Sequence, residues 1–143
     1  MVHYFDSSFL LSILLDEKAR EASSEVWDKA EVRVSSILLK IEVLTVLRRS
    51  AELYRIKLPE KWLERKTVVF KQLLSEIHLR TIDEDIYGIV ERRKELASCR
   101  SLDAIHAATA WEFGSVLGNK RIVVCTYDER MKTVCRQLSI KTV

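Results

Sequence analysis

Apolar positions along this chain fall into two kinds of run. Short blocks rich in apolar or β-branched residues, VHYF at 2–5, VRVS at 32–35, IHLRTI at 77–82, RIVVCT at 121–126 and the segment at 140–143, are separated by longer stretches. In those stretches apolar residues recur every three or four positions. The first pattern is that of strands and the second that of helices with one buried face. Asp6-Ser7-Ser8 follows VHYF at once and predicts a helix start continuing to Leu15, with a second helix over 17–30. Ser35-Ser36 can cap the next helix, which runs to about Leu53, and Pro59 predicts the first turn of another reaching about Ser75. A helix over 83–96 follows. Ser101 precedes LDAIHAATAWEF, an Ala-rich stretch that reads as a tightly packed helix ending near Gly114 or Gly118. RIVVCT has the pattern of a strand buried on both faces, and a last helix is predicted over 128–138. Strands alternating with helices imply βα units: a three-layer α/β fold, with a mainly parallel β-sheet and helices on both faces.

Composition narrows this reading. The chain has 143 residues and shows no repeat, low-complexity segment or linker, so a single domain over 1–143 is expected. With 48% hydrophobic and 31% charged residues, 3 Gly and 1 Pro, it excludes a disordered or many-turned β protein. Cys99, Cys125 and Cys135 make an odd number without C-x-x-C spacing, which points to reduced, buried thiols in a cytoplasmic protein. The apolar patch FLLSILL is preceded by Asp6 and lacks a basic leader, and it is too short for a membrane span, so no membrane role is expected. Asn occurs only at 119 and Gln only at 72 and 137, a thermophile-like bias that predicts a melting temperature above about 60 °C.

Net charge is only +3, yet its distribution is uneven: residues 48 to 71 carry eight Lys or Arg against three acids. Arg48, Arg49, Arg55, Lys57, Arg65 and Lys66 within this stripe are candidates to bind phosphates, or simply form a solvated helical face.

The stretch LLKIEVLTVL, residues 38 to 47, raises the question of chemistry. Its single acid, Glu42, has Leu38, Leu39, Thr45 and Val46 as its helical neighbours. An ionised carboxylate on such a surface needs a partner. Arg49, two turns on, can snorkel toward it. The alternative is a divalent cation shared with other acids. In a parallel sheet functional groups collect beyond the carboxyl ends of the strands, where Asp6 follows the first strand and Asp128 follows RIVVCTY. Asp103 lies in the first turn of the Ala-rich helix. Asp6 and Asp128 can also act as helix caps, and Asp103 can complement its helix dipole. If Asp6, Glu42, Asp103 and Asp128 converge, two carboxylates about 5 Å apart repel by about 3 kcal/mol at an effective dielectric of 20, so a cation is required. Clustered carboxylates suit Mg²⁺ or Mn²⁺, one or two ions, and such a site lends itself to phosphodiester chemistry.

FDSSFLLSILL, the glutamate of SSILLKIEVLTVL, SLDAIHAATA and VVCTYDERM resemble, in order and spacing, the four acidic blocks of PIN-domain ribonucleases, especially the VapC-type toxins of toxin–antitoxin pairs. The resemblance covers essentially the whole chain. It implies a PIN-like domain in which Asp6, Glu42, Asp103 and Asp128 are catalytic and metal-binding, cleaving single-stranded RNA by metal-activated water. It implies that Ser7, Ser8 and Thr126 support these acids or touch a phosphate. It also implies a homodimer and a small protein antitoxin. His106 is tempting as a base, but a hydrogen-bonded structural histidine is the simpler account; Trp27, Trp62 and Trp111 read as core or interface residues, and Tyr127 as a weaker candidate for substrate contact. The rivals are a non-catalytic PIN-like module that binds RNA or protein, and a receiver or phosphatase domain. Asp6 followed by Ser7 and Ser8 meets neither the carboxylate pair of a receiver nor the D-x-D of a haloacid-type phosphatase.

Overall fold

The computed structural model describes residues 1–16, 18–118 and 121–143. In chain order it contains β1 (Val2–Phe5), α1 (Ser7–Leu15), α2 (Arg20–Lys29), β2 (Val32–Ser36), α3 (Ile37–Leu53), α4 (Trp62–Ser75), β3 (His78–Arg80), α5 (Glu84–Arg92), a 3₁₀ turn (Lys94–Leu96), α6 (Ser101–Leu117), β4 (Ile122–Cys125), α7 (Glu129–Gln137) and β5 (Lys141–Thr142). Every strand pairing is parallel, and the sheet order is β3-β2-β1-β4-β5. The chain therefore reverses its direction of growth between β1 and β4. That is where open α/β sheets hold their crevice.

Strand alternation divides the core into two. Tyr4 and Val124 face a cluster with Ile86, Ile89, Ala107, Ala108, Met131 and Val134, from α5, α6 and α7. Phe5 and Cys125 face Phe9, Leu10, Leu39, Val43, Leu47 and Phe70, from α1, α3 and α4. Helices thus cover both faces, as the pattern of the chain requires. Cys125 and Cys135 are buried free thiols, each pushed up to about 12 by burial, and Cys99 is free and half-buried. Among the described residues no helix is long and apolar enough to cross a membrane.

Several predicted boundaries move. The predicted start of the second helix, Glu17, lies outside the described residues, and the described helix begins at Arg20. Pro59 does not open α4: Lys61 takes a left-handed conformation, φ 59°, which breaks helical continuity, and α4 begins at Trp62. The helix expected over 83–96 is interrupted at Arg93, whose extended backbone places its guanidinium 3.9 Å from the centroid of the Trp111 ring. The strand expected over 77–82 shortens to three residues at the sheet edge, and the side chain of its last residue, Arg80, pairs with Asp83 and Glu112. Gly118, at φ 91°, ends α6.

Candidate active site

Asp6 is the first residue beyond β1. Its side chain caps α1, with Oδ1 accepting from the Phe9 N–H at 3.0 Å, and the same oxygen accepts from the Ser8 hydroxyl at 2.7 Å. Oδ2 accepts a short hydrogen bond from the Thr126 hydroxyl. The two hydroxyls also reach the other strand end: Ser8 Oγ accepts from the Tyr127 N–H at 2.9 Å and Thr126 Oγ1 from the Asp128 N–H at 3.0 Å. Serine and threonine serve here because each both donates to the carboxylate and accepts from the backbone. The side chains after β1 are thereby tied to the backbone after β4. Asp6 is 4% exposed, and burial pushes its carboxyl above the ordinary aspartate range against the opposing pull of Thr126, Ser8 and Phe9.

Asp128 caps α7, its Oδ1 accepting from the N–H groups of Arg130 at 2.8 Å and Met131 at 3.4 Å. Burial pulls this carboxyl up, but the two N–H groups and the Arg130 side chain outweigh it and hold the group below the usual range. The two acids at the switch point are thus shifted in opposite directions. Arg130 lies between two carboxylates, with Nη2 3.5 Å from Asp128 Oδ2 and Nε 3.9 Å from Asp103 Oδ2. Asp103 stands in the first turn of α6.

Ser36 caps α3, the helix that carries Glu42, by accepting from the Leu38 N–H. The partner expected for Glu42 is supplied by protein: His106 Nε2 lies 2.7 Å from Glu42 Oε2, and Arg49 is exposed further along the helix. His106 is itself buried, and its Nδ1 lies 2.7 Å from the Tyr4 hydroxyl. The sequence alone gives His106 a hydrogen-bonded structural role but does not join it to Glu42.

Asp6, Ser7, Ser8, Glu42, Asp103 and Asp128 all line one cavity of about 410 Å³, and Arg100, His106 and Arg130 line it with them. The Ser7 hydroxyl has no hydrogen-bond partner among the described residues. This donor set fits a divalent cation in its chemistry: hard carboxylate oxygens predominate, no thiolate lines the cavity, and both nitrogens of His106 are engaged. The carboxylates share a cavity without forming a ready ligand cluster. Among the described residues no three acidic, His or Cys side chains are close enough to hold an ion together.

The basic stripe does not reach this cavity. Arg48 and Arg49 line a separate depression with Thr45, Ala51, Glu52 and Leu63. Arg55 and Lys57 are exposed in the α3–α4 connection, Arg65 donates to the Glu60 carbonyl, and Lys66 donates to the Leu14 carbonyl at 2.6 Å. The cavity's own basic residues are Arg100 and Arg130, which reasoning from sequence misses; the signal available is the position of Arg130 two residues after Asp128. Trp27 is buried in the core, Trp62 and Trp111 pack against it, and Tyr127 stacks on Phe9 while hydrogen-bonding Ser23.

A family model described as PIN domain matches residues 3–137. Ribonuclease VapC46 of Mycobacterium tuberculosis is 27% identical over 140 residues, covering 98% of this chain and 95% of that protein. Ribonucleases VapC45 and VapC49, also of Mycobacterium tuberculosis, are each 29% identical over 133 residues, covering 91% of this chain and 86% of those proteins.

Proposed function

Because the chain belongs to the PIN-domain family, we propose that it is a metal-dependent endoribonuclease acting on single-stranded RNA, the toxin of a toxin–antitoxin pair. The observation that carries the reading is one cavity lined by carboxylates from four separate segments, at the reversal point of a parallel sheet. The similarity to three proteins named ribonuclease supports it. Asp6, Glu42, Asp103 and Asp128 would hold one or two Mg²⁺ or Mn²⁺ ions. The chemistry such ions supply is activation of water, orientation of the phosphodiester and compensation of charge on the leaving oxygen.

The protein's own groups prepare the site. Ser8, Thr126 and the Phe9 N–H fix Asp6, and the unpartnered Ser7 hydroxyl is available to a phosphate oxygen. Arg130 offsets the mutual repulsion of Asp103 and Asp128, and with Arg100 it presents positive charge to an entering phosphate. Arg48 and Arg49, about 10 Å beyond Glu42 along the axis of α3, meet a longer strand outside the cavity, with Arg55, Lys57, Arg65 and Lys66 further along the stripe. The exposed Ile41 and Leu44 on α3 and Val68 and Val69 on α4 give apolar surface for a second copy of the chain or a small antitoxin.

Cleavage of labelled single-stranded RNA by the purified protein tests this, in Mn²⁺, Mg²⁺ or EDTA, alongside Asp6→Asn and Glu42→Gln. Cutting in either ion, stopped by EDTA and reduced to background in both folded variants, is the expected result. RNA that is bound but left intact in both ions would favour the non-catalytic binding module.

A further inference from the structure

Glu42, His106 and Tyr4 come from α3, α6 and β1, and their side chains form one hydrogen-bonded line. Its direction follows from what each group can donate. An ionised carboxylate only accepts, so the hydrogen between Glu42 and His106 is on Nε2. In the neutral ring Nδ1 then accepts, and the Tyr4 O–H donates to it. Tyr4 is fully buried, and burial pushes its hydroxyl well above the ordinary tyrosine range, which keeps that proton in place. With the ring neutral this order satisfies all three groups; a protonated ring would keep the same Nε2–H on Glu42 and turn Nδ1 into a donor to the Tyr4 oxygen. Reversing the neutral order leaves Nε2 without a hydrogen opposite the carboxylate.

We infer that His106 is a positioning residue: seated by the Tyr4 hydroxyl, it holds Oε2 of Glu42 and leaves Oε1 as the oxygen available to the acidic cavity. The inference rests on the reading of that cavity given above and assigns His106 a role that acts through Glu42. Oε1 has no hydrogen-bond partner among the described residues, and the Glu42 side chain is 20% exposed where it lines the cavity. A glutamate on a helix surface samples several rotamers, and fixing one of them in advance removes that ordering cost from the binding step. His106 also lies one turn after Asp103 on α6. The helix that carries Asp103 therefore sets the orientation of Glu42, so two acids from different helices keep a constant relation.

Two measurements test this. In the metal-free protein, ¹⁵N-edited spectra of the imidazole are expected to show the Nε2–H form of His106, and Glu42→Gln should shift its Nε2–H resonance. An unchanged resonance overturns the pairing. The second measurement is Mn²⁺ affinity, by water-proton relaxation, for His106→Leu, His106→Gln and Tyr4→Phe, each confirmed folded by circular dichroism. His106→Leu should weaken Mn²⁺ binding about 10- to 100-fold and lower kcat for RNA cleavage with KM nearly unchanged. His106→Gln, whose amide N–H can replace Nε2–H, should restore most of the binding, with Tyr4→Phe between the two. A folded His106→Leu with wild-type Mn²⁺ affinity overturns the proposal, and so does a wild-type Tyr4→Phe if the leucine variant does not fold. If the unsubstituted protein neither binds Mn²⁺ nor cuts RNA, the nuclease reading fails for all variants alike. The imidazole spectrum still decides, in that case, whether His106 holds Glu42.

Discussion

Asp6 combines two demands that pull against each other. It is nearly enclosed, which disfavours its charge, and it carries three donors that favour it; the upward shift of its carboxyl says that burial wins. Removing the charge while keeping the cap should therefore raise stability and remove activity together. Asp6→Asn retains an acceptor for the Phe9 N–H, and the Thr126 hydroxyl can turn to accept from the new amide. Its melting temperature is expected to lie above that of the unsubstituted protein while RNA cleavage falls to background; a lower melting temperature would show that the donors outweigh burial. Thr126→Val acts the other way. It strips one donor from a buried carboxylate and leaves the Asp128 N–H without its hydroxyl acceptor, which should lower stability by about 1–3 kcal/mol. Urea denaturation measures this, and an unshifted midpoint would mean that Thr126 does not support Asp6 in solution.

At the scale of elements, α6 is built to lie close to its neighbours. Ala107, Ala108 and Ala110 are fully buried, and the small side chains let the helix approach β2 and β4 while α5 and α7 pack beside it. Ala108→Leu forces extra methylenes into this layer and should cost about 1–3 kcal/mol, read from the melting curve; a wild-type curve would point to an unfilled space. The start of α5 has a different logic. Asp83 caps it and pairs with Arg80, which also grips Glu112 on α6, and the Arg80 guanidinium holds the Asp83 carboxyl below its usual range. A depressed carboxyl stabilises the fold above the ordinary aspartate range and loses that contribution as pH falls through its folded value. The acid limb of the stability curve below about pH 4 should accordingly be shallower in Asp83→Asn. Two identical acid limbs would remove Asp83 from the account. These elements also show what local sequence reveals. Asp6 and Ser36 announce the starts of α1 and α3 because capping joins residues only two or three positions apart. Lys61 and Arg93 are ordinary helix formers by type, so the left-handed turn before α4 and the break after α5 leave no local mark; the second accompanies the packing of Arg93 on the distant Trp111.

For the whole molecule, charge placement matters more than the total of +3. Asp6, Asp103 and Asp128 were legible because each sits just beyond a predicted strand or near a predicted helix start, and Glu42 because it is the single acid of an apolar stretch; topology brings the four to one cavity. The partner of Glu42 was hidden because His106 is 64 positions away. The basic stripe was legible as composition but not as location: Arg48 and Arg49 line a different depression from the acids. A polyanion approaching the acids meets Arg100 and Arg130 at the cavity itself. The Arg100 side chain has no hydrogen-bond or ion-pair partner among the described residues, and Arg130 spans two carboxylates at 3.5 and 3.9 Å, loosely enough to turn toward a phosphate. The double substitution Arg100→Gln with Arg130→Gln should then weaken binding of short and long single strands alike, and reduce the slope of log affinity against log salt by about 0.7 for each phosphate no longer neutralised. Arg48→Gln with Arg49→Gln should leave a short oligonucleotide unaffected and weaken only a longer strand, because those side chains lie about 10 Å past Glu42 on α3. Affinities measured over a salt series with oligonucleotides of two lengths separate the pairs. If the stripe pair alone changes the affinity for the short strand, RNA enters along α3, and the arginines of the cavity serve only to balance its acids.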